Sequence, residues 1–312
     1  MSDTHVLVSL LQGAMLAALP LLLAGLGELI SERAGVINLG VEGTMLVGAA
    51  VSFLVMSHSQ SLLWSMLAGI ASGMAMGALF GLFTISLLTS QIPTGMAITA
   101  IGMGLSSYLG KLVEPQALAP AQVVQIPLLS ELPVVGEALF SLPAMAYIAI
   151  AMCTTAWWFF AHTRTGLAFR AVGDSPVVAR QVGFDVARVR YIAVIVGAGL
   201  YGLAGAYYCA GYVLLWQENM VAGRGWMAIA LVMFAGWRPL RLMAGAFLFG
   251  ALTAVQFQAQ TMGLKVPSQL LTVTPYLVTI IVLTFISARG SASQDVPRSL
   301  GKTFHPLLSK LM

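Results

Sequence analysis

Charge is what this chain has least of. Asp, Glu, Lys and Arg together make up 8% of its 312 residues, against about 25% in soluble domains, which excludes a surface solvated by water all round. Histidine and cysteine are also scarce. The four histidines, His5, His58, His162 and His305, fall at the ends of apolar runs or in loops. That leaves a membrane-embedded enzyme without the metal ligands or nucleophile–base set it would need. The two cysteines, Cys153 and Cys209, lie inside apolar runs, where they read as small hydrophobes and imply neither a disulfide framework nor a metal site. Met1–His5 lacks the basic segment of a secretory signal, so the first apolar run is expected to be retained as a helix.

What the chain has instead is hydrocarbon: 59% hydrophobic residues and a mean hydropathy of +0.90. A bilayer is the solvent that suits such a surface. A backbone crossing it must satisfy its own hydrogen bonds, as a helix or a closed barrel. Barrel strands alternate apolar and polar residues, whereas Ala68–Thr89 and Thr272–Ile286 are unbroken apolar blocks. The expected fold is therefore all-α, a polytopic transmembrane helical bundle forming a single domain over residues 1–312.

Nine candidate spans follow: Val6–Gly27, Val41–Met56, Leu62–Thr89, Thr94–Leu112, Leu142–His162, Tyr191–Leu215, Gly225–Trp237, Leu242–Thr261 and Pro267–Ser287. Crossing takes about 20 residues, so Val41–Met56 and Gly225–Trp237 are short. Each follows a Gly-containing polar stretch, which suggests a broken or re-entrant helix. The expectation is 8–10 spans, one or two of them broken. Eleven of the 15 Lys and Arg residues lie in Arg164–Arg190, Arg238–Arg241 and Arg289–Lys310. The positive-inside rule places these three stretches in the cytoplasm. The loop at 113–141 is then external, residues 163–190 form a cytoplasmic loop, and the tail 288–312 is cytoplasmic. The break near Glu28–Gly40 leaves the side of the N-terminus open. Nucleic-acid binding is not expected, since no soluble domain carries the basic residues.

Glycine recurs at four-residue spacing, in Gly69, Gly73, Gly77 and Gly81 and in Gly102, Ser106 and Gly110. Small residues let helices approach closely in lipid. Close packing and a sliding interface both fit this pattern.

Two segments concentrate polar groups. Between Gly27 and Gly43 stand Glu28, Glu32, Arg33, Asn38 and Glu42. A charge at the bilayer centre costs about 2.5–3.5 kcal/mol, so such groups pair, face water or sit at the interface. Glu28, Glu32 and Arg33 read as an interfacial turn. Asn38 and Glu42, spaced i to i+4, would share a helix face and are candidates to line a water-filled pathway, with Gly35 and Gly40 free to open the backbone. The second segment, Thr163–Asp185, holds Asp174 or Ser175 before Pro176 as a helix start. A short helix Pro176–Val182 would end at Gly183, which makes a docking knob. An ordinary basic loop would need only the arginines.

Gly27-Glu28 with Ser31-Glu32-Arg33-Ala34-Gly35-Val36-Ile37-Asn38-Leu39-Gly40-Val41-Glu42-Gly43 resembles the signature of bacterial ABC-importer permeases in the branched-chain amino acid/ribose superfamily, of the nucleoside or simple-sugar type. Thr163…Gly166…Arg170-Ala171-x-Gly173-Asp174-x-Pro176…Ala179-Arg180…Gly183 is similar to that family's ATPase-docking loop. Asn219-Met220, Ala222–Trp226, Pro267-x-Gln269-Leu270-Leu271 and Pro275-Tyr276 agree, with Trp226 where many members have Phe.

The resemblance implies a bacterial inner-membrane importer subunit. Its partners would be a second permease subunit, identical or paralogous, a cytoplasmic ATPase, an external solute-binding protein and the surrounding membrane lipid. ATPase coupling would fall to Gly166, Arg170, Gly173, Asp174, Ala179, Arg180 and Gly183. No cofactor is expected. Gly301-Lys302-Thr303 ends like a phosphate-binding loop, but Val296 stands where that loop's first glycine belongs, so ATP would be handled by another chain.

Pathway candidates are Asn38, Glu42, Gln91, Thr94, Asn219 and Gln256, with Gln258 and Gln260 beside the last. Amides both donate and accept, which suits a neutral polyhydroxylated solute, while interhelical hydrogen bonds explain them equally. Gln256 and Gln260 can share a helix face and Gln258 cannot join them. The rival reading is an ion-coupled secondary transporter or channel for a small polar solute, which would need intramembrane acids or a selectivity ring.

Overall fold

The computed structural model describes residues 3–114, 116–125, 130, 135–261, 268–286 and 296–304. Pro115, Pro127, Glu131, Pro133, Pro267, the turn expected at 263–266 and most of the basic tail lie outside the described residues.

Each long apolar run closes its hydrogen bonds within itself. The first part of the chain gives α1 (Asp3–Arg33), α2 (Val41–Ser59), α3 (Leu62–Gly81, prolonged by a π turn Leu82–Ser86) and α4 (Gln91–Gly110). A small excursion follows, β1 (Val123–Gln125), α5 (Val135–Phe140) and β2 (Ser141–Pro143), with the strands antiparallel and Val124 opposite Leu142. Next come α6 (Ala144–His162), α7 (Arg164–Asp174), α8 (Pro176–Gln181) and α9 (Val186–Ala206, prolonged by a π segment Tyr207–Val213). The last helices are α10 (Arg224–Ala235), α11 (Pro239–Thr261) and α12 (Ser268–Ile286).

Among the described residues six helices, α1, α2, α3, α6, α9 and α11, are long and apolar enough to cross a membrane. Helices α4 and α12 match them in length, at 20 and 19 residues. The chain is a polytopic helical membrane protein. Helix boundaries shift by a few residues throughout, as at α9, which starts at Val186 rather than Tyr191, and two shifts matter most. The segment read as a short helix, Val41–Met56, runs on to Ser59 and is one of the six. Helix α1 does not stop near Gly27 but continues through the charged segment to Arg33. The second short candidate stays short: α10 has 12 residues, about 18 Å at 1.5 Å per residue, far less than the ~30 Å hydrocarbon core.

Helices α2 and α9 form the centre, with 72% and 83% of their apolar stretches buried, against 28% for α6 on the rim. Small residues set this arrangement. Helix α3 runs along α9, with Gly69, Gly73 and Gly77 against Val194, Ala198, Gly202 and Ala206. A methyl added to Gly73 would overlap the Ala198 carbonyl and stand 2.9 Å from the Gly202 Cα, so the backbones touch where side chains would otherwise hold them apart. Close packing is what this glycine run provides. The buried Ser52 and Ser65 hydroxyls meet at 2.6 Å and fasten α2 to α3. Such bonds contribute about 0.6 kcal/mol each in membrane proteins, so apolar contact carries most of the cohesion.

Candidate functional site

The polar segment after Gly27 folds into the interior. Glu28 and Glu32, one turn apart on α1, are both fully buried, so they do not form an interfacial turn. The reason is local: residues 34–40 turn back alongside α1 and bring backbone donors to its last turns. Glu28 accepts from the Asn38 N–H at 3.2 Å and from the Tyr201 hydroxyl of α9. Glu32 accepts from the Trp237 indole, just past α10. Arg33 donates twice to the Trp237 carbonyl, at 2.8 and 3.1 Å. Helix α9, the residue just past α10 and the 34–40 loop thus converge on the end of α1.

Asn38 precedes α2 rather than lying on it. Its side chain accepts from the Gly40 N–H at 2.9 Å, which shapes the turn into that helix. Glu42, in the first turn of α2, reaches across to α10. Its two oxygens accept from Gly223 and Gly225 N–H, each at 2.7 Å. Gly223 has φ +87°, a conformation open to glycine without strain. The carboxylate therefore satisfies the free donors at the start of α10 and sits at the positive end of its dipole.

The chain entering α10 is irregular. Leu214, Asn219 and Ala222 have positive φ, and Asn219 and Ala222 are exposed. The Arg224 guanidinium stacks 4.4 Å over the Tyr208 ring and donates to the Val221 carbonyl at 3.1 Å. Tyr276 of α12 donates to the Ala222 carbonyl at 3.4 Å. At the far end of this loop, Glu218 accepts from Ser107 and pairs with Lys111 at 3.4 Å. The Ser107 hydroxyl, and then Lys111, hold the Glu218 carboxyl below the ordinary carboxylate range.

The remaining amide and hydroxyl candidates are scattered. Gln91 is buried and accepts from the Ile37 N–H at 2.9 Å, which ties α4 to the 34–40 loop. Thr94 meets Thr89 at 2.9 Å and donates to the Ser90 carbonyl, closing the first turn of α4. On α11, Gln256 and Gln258 are half-buried and Gln260 is exposed.

The second segment forms two short helices at one end of the bundle. Thr163 caps α7 by accepting from the Gly166 N–H at 2.9 Å, and a side chain on Gly166 would overlap the Phe159 carbonyl. Ser175 caps α8 through the Val178 N–H, with Pro176 at its first position. Gly183, at φ +100°, ends that helix. The sequence places this helix to within one residue. Ala179 is buried against Val172 and Val186, Arg170 and Arg180 are half-buried, and Asp174 is exposed. Gly173 is a contact point: its Cα lies against Gly35, and a methyl there would overlap the Arg33 carbonyl. The knob thereby touches the end of α1 directly. Among its exposed residues are three apolar ones, Val178, Val182 and Phe184, at 55%, 73% and 36%.

Sequence reasoning missed what the tail does there. Ser299 donates to the Gly173 carbonyl from both its N–H, at 2.9 Å, and its hydroxyl, at 2.6 Å. The Lys302 carbonyl accepts from Arg190 at 3.1 Å and from Gln91 at 3.4 Å. Phe304 packs against the Val172–Ala179–Val186 cluster. Residues 296–304 thus strap α7, α8, α9 and α4 together. Pro297 and Gly301 were the available signal, as turn residues in a stretch read for its charge and for a phosphate-loop pattern it does not complete. Tyr201 and Trp237 were missed for another reason: an aromatic in an apolar run shows nothing of a carboxylate partner on a different helix.

Comparisons with known proteins agree with this architecture. The family model described as "Branched-chain amino acid transport system / permease component" matches residues 10–286. A putative glucose ABC transporter permease protein of Haloferax volcanii is 39% identical over 95% of this chain and 97% of its own length. The guanosine ABC transporter permease protein of Bacillus subtilis is 30% identical over 97% of this chain and its whole length. A nucleoside ABC transporter permease protein of Lactococcus lactis is 29% identical, covering 94% and 96% of the two chains.

Proposed function

The chain belongs to the family of branched-chain amino acid transport system permease components, and on that premise we propose that it is the membrane subunit of an ATP-driven importer for nucleosides or simple sugars. The named relatives support that substrate range. The carrying observation is the entry to α10. A 12-residue helix cannot span, and the irregular stretch before it exposes Asn219 and Ala222. Non-helical backbone is tolerated at membrane depth only where it is covered by protein or lines a water-filled cavity. The face formed by residues 219–226 and Tyr276 is therefore the pathway wall, completed by a second permease subunit. Glu42 holds that wall from behind, and Asn38, Gln91 and Thr94 brace the loop and helix ends beside it. Asn219 reaches the solute directly, and Gln256 is the candidate on α11.

ATP is hydrolysed by a separate cytoplasmic ATPase docking on the knob, in a bacterial inner membrane with the tail also cytoplasmic. Exposed Val178, Val182 and Phe184 at an aqueous end are a surface that calls for a partner. Beside them a cavity of about 330 Å³ is walled by Arg180, Phe184, Arg190 and Phe304. Closure of the ATPase pushes α8, and the push reaches α1 through Gly173 and Gly35 and reaches α4 through the tail and Gln91. Gly166 and Gly183 fix the knob's two turns, while Arg170, Asp174 and Arg180 present its charge and Ala179 anchors it. Packed helices with two discrete arrangements convert such a push into alternating access. An external solute-binding protein delivers the solute. The buried acids Glu28 and Glu32 do not favour ion coupling, since both are enclosed and held by Tyr201, Asn38 and Trp237.

Reconstitution tests this reading. Proteoliposomes with the permease pair, the ATPase and the binding protein should accumulate a nucleoside or sugar only with ATP. Uptake by the permease alone would contradict it.

A further inference from the structure

A groove of about 570 Å³ opens on the flank of the bundle between α1, α6 and α9. Its walls are apolar, with Leu26 and Ile30 on α1, Met152 and Phe159 on α6, and Ile192 and Val196 on α9. Phe169 of α7 closes it at the knob end. None of the proposed pathway residues lines it.

Features at the knob end select its occupant. Arg188 stands one helical turn from Ile192 and two from Val196, so one stripe of α9 passes from the apolar wall to a cation. The Arg188 side chain is exposed, and among the described residues no acceptor is bonded to its guanidinium. Arg170, next to Phe169, has a buried Nε with no hydrogen-bond partner among the described residues. On the α6 rim, Trp157 and Trp158 are 40% and 55% exposed and gather around His162, with ring centroids 5.6 and 6.5 Å away. Exposed indoles mark the level of lipid headgroups. Apolar walls therefore end at headgroup level in unpaired cations. A protein helix would fill the walls and leave the cations unanswered, whereas one molecule answers both.

We propose that this groove binds an anionic phospholipid, with an acyl chain between α1, α6 and α9 and the phosphate at Arg188. The assignment to the cytoplasmic leaflet rests on the placement of residues 163–190 given above; the binding itself does not. Basic pockets at the membrane face between transmembrane helices hold such headgroups. Because Phe169 belongs both to the groove and to α7, an occupied groove also supports the knob from its membrane side.

Native mass spectrometry of the full chain in detergent tests this, with phosphatidylglycerol and phosphatidylcholine of identical acyl chains as probes. The wild type should retain phosphatidylglycerol in preference. Arg188→Gln should lower its retention about fivefold and leave phosphatidylcholine unchanged. Val196→Trp, which fills the groove, should lower both. Equal retention of the two lipids by the wild type, or undiminished phosphatidylglycerol on Arg188→Gln, overturns the proposal. So does crosslinking of Val196→Cys to a second copy in native membranes, which would give the groove to a protein neighbour. The binding is read without ATP or ATPase, so its failure and that of the transport reading are separable.

Discussion

Glu42 and Gly225 stand 183 residues apart, and the carboxylate of the first accepts the backbone N–H of the second at 2.7 Å. The same carboxylate takes the N–H of Gly223. The first N–H groups of a helix have no partner within it, and on the protein-facing side of α10 this side chain supplies one.

Glu42→Ala should therefore destabilise the chain, since each buried donor left unpaired costs about 1–3 kcal/mol. Glu42→Gln keeps one accepting oxygen and should fall between the two. Thermal unfolding in detergent gives the order of Tm as wild type, Gln, Ala. Equal Tm for Ala and wild type would remove the capping role.

Glycine positions divide by what surrounds them. Gly73→Ala drives a methyl into the Ala198 carbonyl, whereas at Gly104 nothing lies within 4 Å of an added Cβ. Gly73→Ala should cut the yield of folded protein severely and Gly104→Ala should leave it unchanged. Similar yields would mean that α3 and α9 do not pack as closely as described.

The tail strap makes a separate prediction. Ser299→Ala removes a hydroxyl that donates to the Gly173 carbonyl, a loss of about 0.5–1.5 kcal/mol. Amide hydrogen exchange in residues 172–183 should quicken while that in α2 stays constant. Unchanged exchange in the knob would show that the strap does not restrain it.

At the opposite end, Glu218 has a depressed pKa because of Ser107 first and Lys111 second. Its contribution to holding the 214–223 loop is complete above the ordinary carboxylate range and is lost as pH falls through the depressed value. Ser107→Ala should move that midpoint upward, and salt should weaken the Lys111 part. A carboxyl NMR titration of Glu218 reads both effects, and a midpoint unmoved by Ser107→Ala would contradict the assignment.

The bundle was legible because bilayer physics writes it into long apolar runs, and the capped helix α8 because Ser175, Pro176 and Gly183 act within their own neighbourhood. What could not be read was pairing between distant helices. Glu28 and Glu32 looked interfacial because Tyr201 and Trp237 lie more than 170 residues further on. At Gln91 an amide's polarity shows in the sequence, but not that its oxygen takes the Ile37 N–H on the 34–40 loop. Ser299 carried no signal that it would meet Gly173.

The central claim is that residues 163–190 are a cytoplasmic knob that an ATPase grips. In a background with Cys153→Ala and Cys209→Ala, a Val182→Cys variant offers a thiol at a site 73% exposed. A membrane-impermeant maleimide should label it in inside-out vesicles only, and bound ATPase should block the reaction. Labelling in right-side-out vesicles, or labelling indifferent to the ATPase, would contradict the account.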